Sequence, residues 1–507
     1  MACENGAKLA RVAPVCHASP GAALHVLPTA LIRQTMPEIR RMLQTAVAAI
    51  LLFASTTAAD AQQASPDWPA LQREATQLLS EYLRVNTSNA PGNELDGALF
   101  LKSILEREGF EVQLLDTGFF AARRGANLYT RLRGNGSKRA VALVHHIDVV
   151  PASPEHWSVP PFSGEVKDGY VWGRGALDMK GDGIAHLVAL LALKRSGVTL
   201  SRDIVYIANS DEELGSTGVL RFVAEHADLV NDVEFLITEG GDNPVLNGEL
   251  QFIGVGVAEK RTFWQRLTVQ GIPSHGSRPT PHNPVPRIAA AVSRLAGYDT
   301  PLEVTPPAER FFRDISRTYQ SPQREWLADI RAAVEIPEAR QWILSNVSWN
   351  AILRMTITPT VLRGSDKTNV IPPSAVAEVD VRLLPHHDKD SALVLLKRIV
   401  ADTAVHFETL LEPKTPLQSP VEGDFFTAVE AATRTLRPGT FVTSVMQPYA
   451  TDRPVYQRLG IKVYGIDPFL VETAERQRGM HGNDERVSVE NLGFGVRFMY
   501  EIVKSLQ

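Results

Sequence analysis

Cysteine is nearly missing from this 507-residue chain, which has Cys3 and Cys16 and no other. Both precede a segment that reads as an export signal, so a chain processed to begin at Gln62 would hold neither a disulfide nor a thiolate metal ligand. Its stability would rest on packing alone. No Gly-x-Ser-x-Gly string occurs, which argues against a serine hydrolase of the nucleophile-elbow type. Charge of one sign is also lacking: 52 basic residues face 57 acidic ones, a net charge of -5 with no basic stripe, so nucleic acid is not an expected partner. Long hydrophobic runs are scarce too. The most apolar stretch, 43–54, is too short for a permanent membrane span.

That stretch follows Arg40 and Arg41 and precedes Ala59-Asp60-Ala61, the order of a signal peptide: positive region, apolar region, small-x-small cleavage site before Gln62. The residues before Met36 fit neither signal nor domain, so Met36 is an expected start. The expected location is the periplasm or the medium, an uncleaved membrane anchor being the alternative.

The hydrophobic share of 44% and charged share of 21% are those of a globular protein, and the length suits two domains. Helical periodicity runs over 68–85 and again over 97–109. Strand-like runs follow at 111–115, 127–132 and 140–146, then a helix at 184–194 and strands at 203–208 and 233–238. This alternation predicts an α/β fold, a mostly parallel sheet flanked by helices, with its site beyond the carboxyl ends of the strands. After Glu259 the pattern changes. Alternating runs at 261–269 and 375–381, with helices at 286–295 and 390–401, predict an inserted smaller α+β domain. The expected division is an export region 1–61, a catalytic domain in two parts, 62–258 and 416–507, and a lid or dimerisation domain 259–415. Within the lid, 300–350 is a long insertion punctuated by proline. Its Phe311, Phe312, Trp326, Trp342 and Trp349 would line an acyl pocket or simply pack the lid.

Metal-type ligands fall at the ends of the predicted strands: His146, Asp178, Glu213, Glu239 and His481, with Asp148 and Glu212 beside them. Two imidazoles and three carboxylates suit two divalent cations, zinc first, with cobalt or manganese as substitutes. Taken singly, each has a plainer reading. His146-x-Asp148 alone would be a surface pair, Glu212-Glu213 a solvated turn, and His481 a structural histidine. In a site, Asp148 is placed to hold the second nitrogen of His146. Of two adjacent glutamates, one can bind metal while the other takes a proton from water. His145, by alternation, should face away from the metals. Gly173-x-Gly175 suggests a dinucleotide loop, but Asp178 stands where that fingerprint needs its third glycine.

The order and company of these residues resemble something specific. Val144 to Pro151, then Trp172-Gly173-Arg174-Gly175 through Asp178-Met179-Lys180-Gly181, then Asp211-Glu212-Glu213, are similar to the dinuclear zinc hydrolases related to aminoacylase, glutamate carboxypeptidase and succinyl-diaminopimelate desuccinylase. Gly271-Ile272-Pro273-Ser274-His275-Gly276, Asn369-Val370-Ile371-Pro372, Asp380-Val381-Arg382 and His481 to Arg486 extend the resemblance over nearly all of the processed chain. The last motif, the insertion and residues 356–360 look most like the branch of carboxypeptidase S and the N-fatty-acyl amino acid hydrolases. The resemblance implies that Asp178 bridges two zinc ions, with His146 and Glu239 on one and Glu213 and His481 on the other. It makes Glu212 the general base, Asp148 the group that orients His146, and His275 a lid residue that polarises the scissile carbonyl. Asn369 and Arg382 would hold the substrate's carboxylate end, although Arg382 could equally form an ordinary ion pair. It also implies a cis peptide at Asp178-Met179. Tyr449-Ala450-Thr451-Asp452 departs from the family's Gly-Gly-Thr-Asp and puts the shape of the pocket floor in question, and His145 stands where a glycine is frequent.

The expected protein is an exported two-zinc amidohydrolase cleaving a peptide or N-acyl amino acid beside a free carboxylate. It would act as a monomer or a lid-mediated dimer. A catalytically silent peptide-binding protein on the same scaffold is the alternative.

Overall fold

The computed structural model describes residues 65–116 and 125–507. The expected export segment, with Cys3, Cys16, Met36 and the cleavage site, lies outside them. Among the described residues no helix is long and apolar enough to cross a membrane.

The strand Ala140–His146 is buried along its whole length. Its alternation sends Val141 and Leu143 into one hydrophobic core and Ala140, Ala142 and Val144 into another on the opposite face. Ile204–Asn209 and Val233–Thr238 divide in the same way, so helices must cover both faces of the sheet. The eight strands lie in the order Val112–Asp116, Ala126–Leu132, Ile204–Asn209, Ala140–His146, Val233–Thr238, Lys462–Gly465, Ile253–Glu259, Val442–Gln447. The four in the middle, from Ile204–Asn209 to Lys462–Gly465, run parallel. This is the mainly parallel, helix-flanked sheet that the alternation predicts.

Helix Lys180–Ser196 is buried from Lys180 to Leu193. A helix apolar all round has to be interior, and it packs against helices Trp68–Arg84 and Val489–Ser505. It also comes unusually close to the sheet. A Cβ on Gly183 would lie 2.3 Å from the His145 ring. His145 thus points into this core, with Tyr82 Oη 3.4 Å from its Nε2, and away from the strand end that carries His146.

The chain leaves Glu259 for a second sheet of five antiparallel strands: Arg261–Thr262, Trp264–Gln270, Thr356–Arg363, Ser374–Leu383 and Val405–Leu411. Every second residue of Ser374–Leu383 is buried, the pattern of a sheet covered on one face. Helices Pro284–Ala296 and Lys389–Val400 cover it, and Leu267, Ile288, Val379, Val381 and Leu396 form a separate core. This is the smaller α+β part expected from the sequence.

The insertion packs on the large sheet rather than on the lid. Helix Pro306–Ile315 lies along Val442–Gln447, the outermost strand of the large sheet, and Phe311, Phe312 and Ile315 join the core that holds Phe252, Ile253 and Val445. Ser444 Oγ donates to the Pro307 carbonyl at 3.2 Å, and Thr443 Oγ1 to Asp314 Oδ2 at 2.9 Å. The physical reason is an edge strand whose six residues are all buried, which needs an apolar cover. Phe312 meets Trp349 edge-on at 5.4 Å, and Trp349 meets Trp342 at 5.5 Å.

Phe312→Ala should therefore destabilise the large sheet's core by about 3–5 kcal/mol, read as a lower urea midpoint. A midpoint equal to that of the unaltered protein would mean the insertion is not part of that core.

Candidate metal centre

Each ligand candidate is delivered by a chain end or loop that the fold holds from behind. His146 ends its strand. Its Nδ1 donates to the Asp148 main-chain carbonyl at 2.9 Å, and its Nε2 lies 3.0 Å from Asp178 Oδ1. The bond at Nδ1 leaves Nε2 as the ligating nitrogen. Asp148 therefore holds the second nitrogen of His146 through its main-chain carbonyl, while its carboxylate stays 3.6 Å from Nδ1. The carboxylate's closer partners are the amides of Glu212 and Glu213, each at 3.0 Å, and Asn89 Nδ2 at 3.1 Å. Asp148 thus holds the turn that presents the two glutamates.

Asp178 stands at the middle. Its other oxygen, Oδ2, lies 3.0 Å from His481 Nε2, which is 3.2 Å from Glu213 Oε1. Two groups of possible metal ligands result, His146–Asp178–Glu239 and Asp178–Glu213–His481, with Asp178 common to both. Glu212 belongs to neither. The peptide Asp178–Met179 is cis, as the resemblance implies.

The Asp178 loop is clasped by a residue that sequence reasoning missed. Glu485 is fully buried and accepts from the amides of Gly175 (3.0 Å), Leu177 (2.7 Å) and Asp178 (3.1 Å), and from Arg174 Nη1 at 2.7 Å. Gly175 has φ +93°, and a Cβ there would sit 2.8 Å from Val149 Cγ1, so the loop's path requires glycine. Both Arg174 and Glu485 stand in recognisable motifs. Nothing in either motif signals that residues 311 apart form one ion pair.

The electrostatics favour cations. Burial pushes the Glu239 carboxyl up to about 8, with Asp178 and Glu213 adding to it and His146 opposing. Burial also pushes Glu212 well up, with Glu239 and Asp452 adding. Asp178 goes the other way: burial raises it, but the imidazoles of His146 and His481 hold it below the usual carboxylate range. Hydrogen bonds donated to Asp178 and then to Glu213 push His481 up to about 10. A partly buried cluster of carboxylates and imidazoles, sharing one carboxylate between two donor sets, fits a pair of divalent ions.

The remaining predicted residues lie on the second sheet's side. His275 pairs through Ser274–His275 with Val370–Ile371, is exposed, and accepts at Nδ1 from the Ser277 amide at 3.1 Å. Asn369 is its neighbour, its carbonyl accepting from Gly276 at 2.7 Å. Among the described residues no hydrogen bond or ion pair joins His275 or Asn369 to the Asp178 cluster. Arg382 spends its fork on Asp380, at 2.8 and 3.2 Å, and its Nη1 on Thr262 Oγ1 at 2.8 Å. In this conformation it makes the ion pair rather than offering a free carboxylate clamp.

Comparison with known proteins decides the family. The profile of peptidase family M20/M25/M40 matches residues 142–505. The chain belongs to this family. It is 31% identical over 389 residues to the N-fatty-acyl-amino acid synthase/hydrolase PM20D1 of Xenopus tropicalis, covering 72% of each chain. It is 27% identical over 387 residues to a probable carboxypeptidase S-like protein of Dictyostelium discoideum, covering 73% of this chain and 72% of the other. Its fold matches that of an M20 family metallo-carboxypeptidase from Sulfolobus solfataricus with a TM-score of 0.68 at 18% identity, covering 85% of this chain and 99% of that one. As a member of this family, the protein is a hydrolase of amide bonds.

Glu485→Ala should cost about 3–5 kcal/mol, because it leaves Arg174 buried without its partner. Thermal unfolding followed by circular dichroism checks this; an unchanged transition would mean the clasp contributes nothing to the loop.

Proposed function

We propose that this hydrolase is an exported two-zinc enzyme that cleaves an N-acyl amino acid or a peptide next to a free carboxylate. The observation that carries the reading is the sharing of Asp178 between two complete donor groups while Glu212 stands beside them uncommitted. His146, Asp178 and Glu239 would hold one ion and Asp178, Glu213 and His481 the other, with cobalt or manganese as substitutes for zinc. Such ions, when bound, acidify water towards neutral pH and polarise a carbonyl oxygen.

The chain's own residues do the rest. Glu212, with its amide fixed by Asp148, takes the proton of the attacking water and passes it to the leaving amine nitrogen. Neither group can work far from the scissile bond, so the second sheet has to close over it. His275 then supplies a donor to the carbonyl oxygen, with Asn369 and Arg382 at the carboxylate end. For Arg382 this requires sharing the guanidinium now held by Asp380.

The acyl side has its own support. A cavity of about 330 Å³ is lined by Phe311, Trp349, Ile352, Met446, Tyr449 and Met480, and it reaches Gly241 and Asp242 close to Glu239. Apolar walls beside a polar centre suit an acyl chain of some length, in keeping with the relative named for N-fatty-acyl amino acids. Tyr449, which with Ala450 departs from the two glycines of the motif that the sequence resembles, is part of this wall.

Glu212→Ala should keep its fold and its metal yet lose about 10²–10⁴-fold in turnover, the usual share of a general base. Chelation should abolish turnover in the unaltered enzyme, with added Zn²⁺ restoring it. Full activity in Glu212→Ala, or in chelated protein, would contradict the mechanism.

Ser348 is exposed at the cavity's wall. Ser348→Trp should lower kcat/KM for long-chain N-acyl amino acids about tenfold or more while leaving N-acetyl substrates unaffected, a difference of about 1.4 kcal/mol or more. Equal losses on both substrates would place the acyl chain elsewhere.

A further inference from the structure

A second convergence of metal-type ligands lies on the smaller part of the molecule. His386 and His387 follow strand Ser374–Leu383 in a turn, and each sends its Nε2 to a different oxygen of Glu303, both at 2.8 Å. The two rings are 4.7 Å apart and nearly perpendicular. One ligand atom from each of the three residues lies within 4.8 Å of the others.

We propose that Glu303, His386 and His387 form a divalent-cation site of their own, separate from the cluster around Asp178, which takes a borderline ion such as Zn²⁺ or Ni²⁺. One carboxylate is satisfied by one cationic imidazole. Two adjacent histidines aiming the same ring nitrogen at it is more than an ion pair needs, and it is the arrangement that lets a single ion replace both hydrogen bonds. Metal–nitrogen and metal–oxygen bonds of about 2.0–2.2 Å fit a triangle of that size with small movements of the side chains. Two imidazoles and a carboxylate are a donor set that zinc, nickel and copper accept, with water completing the shell. Room for that water exists: a cavity of about 220 Å³ is lined by Glu303, His387 and Asp388. The side chain of His387 is 18% exposed, that of Glu303 37% and that of His386 54%, so the site is open to solvent on one side. Burial pushes the Glu303 carboxyl up, but the two imidazoles hold it below its usual range, ready as an anionic ligand.

The position gives the ion a structural task. Glu303 opens the insertion, and its amide donates to the Leu353 carbonyl at the insertion's far end at 2.7 Å. The His387 carbonyl accepts from Arg261 Nη1 at 2.8 Å, while Arg261 Nε donates to the Lys414 carbonyl at 2.7 Å. Arg261 and Lys414 lie where the chain enters and leaves the second sheet. An ion on these three ligands ties the base of the insertion to a turn that already touches both crossings.

The test is a zinc count. Unaltered protein, His386→Ala/His387→Ala and Glu303→Gln are brought to equilibrium by dialysis against micromolar Zn²⁺, and bound zinc per chain is measured by mass spectrometry. Both variants should hold one ion fewer than the unaltered protein and show unchanged turnover. Glu303→Gln keeps the side chain's volume and guards against a folding defect in the double variant. Equal zinc in all three proteins, or an equal loss of turnover and zinc together, would overturn the proposal. If the ions around Asp178 were absent, the total would fall in all three proteins while the difference of one ion remained, so the two readings fail separately.

Discussion

The structure depends on one carboxylate placed between two imidazoles. Asp178 offers Oδ1 to His146 and Oδ2 to His481, at 3.0 Å each, in a pocket that also holds Glu212, Glu213 and Glu239. Concentrated buried negative charge is costly without compensation. The raised affinity of Glu239 and Glu212 for protons is that cost made visible. Two divalent cations, as proposed, would relieve it, and the same relief would make a hydrolytic centre. On the proposed reading, electrostatic strain and catalytic capacity have a common origin.

Much of the surrounding architecture fixes the loops that carry these groups. Asp148 grips the amides of Glu212 and Glu213 from one side, and Glu485, paired with Arg174, grips the Asp178 loop from the other. Both clasps are buried carboxylates bound to backbone amides, a way of positioning ligands on loops while keeping the precision of the sheet. The parallel strands bring their carboxyl ends together, and helix Lys180–Ser196, starting two residues after Asp178, anchors the loop in the core. The smaller sheet has a core of its own.

The central sheet was legible because its strands are buried on both faces and read as unbroken apolar runs. The ligand positions were legible because they fall where such runs stop. What stayed hidden was long-range. Glu485 and Arg174 stand in separate motifs far apart in the chain, and only folding makes them partners. The insertion's amphipathic helices reveal that they have an apolar face but not which sheet it meets, so its attachment to Val442–Gln447 had to be seen. Asp148 holds His146 as expected, through its carbonyl, but its carboxylate's grip on the Glu212 and Glu213 amides was hidden, since main-chain amides leave no mark in a sequence. For Arg382 the ion-pair alternative holds in this conformation. Asp380 lies two residues before it on one strand, hence on the same face, and their pairing follows from the period of two.

The central claim, that two ions share Asp178, is tested most directly by anomalous diffraction at the zinc edge from crystals of the zinc-loaded protein. The account predicts two peaks flanking the Asp178 carboxylate, one against His146 and Glu239 and the other against Glu213 and His481. A single peak, or two peaks of which neither touches Asp178, would contradict it.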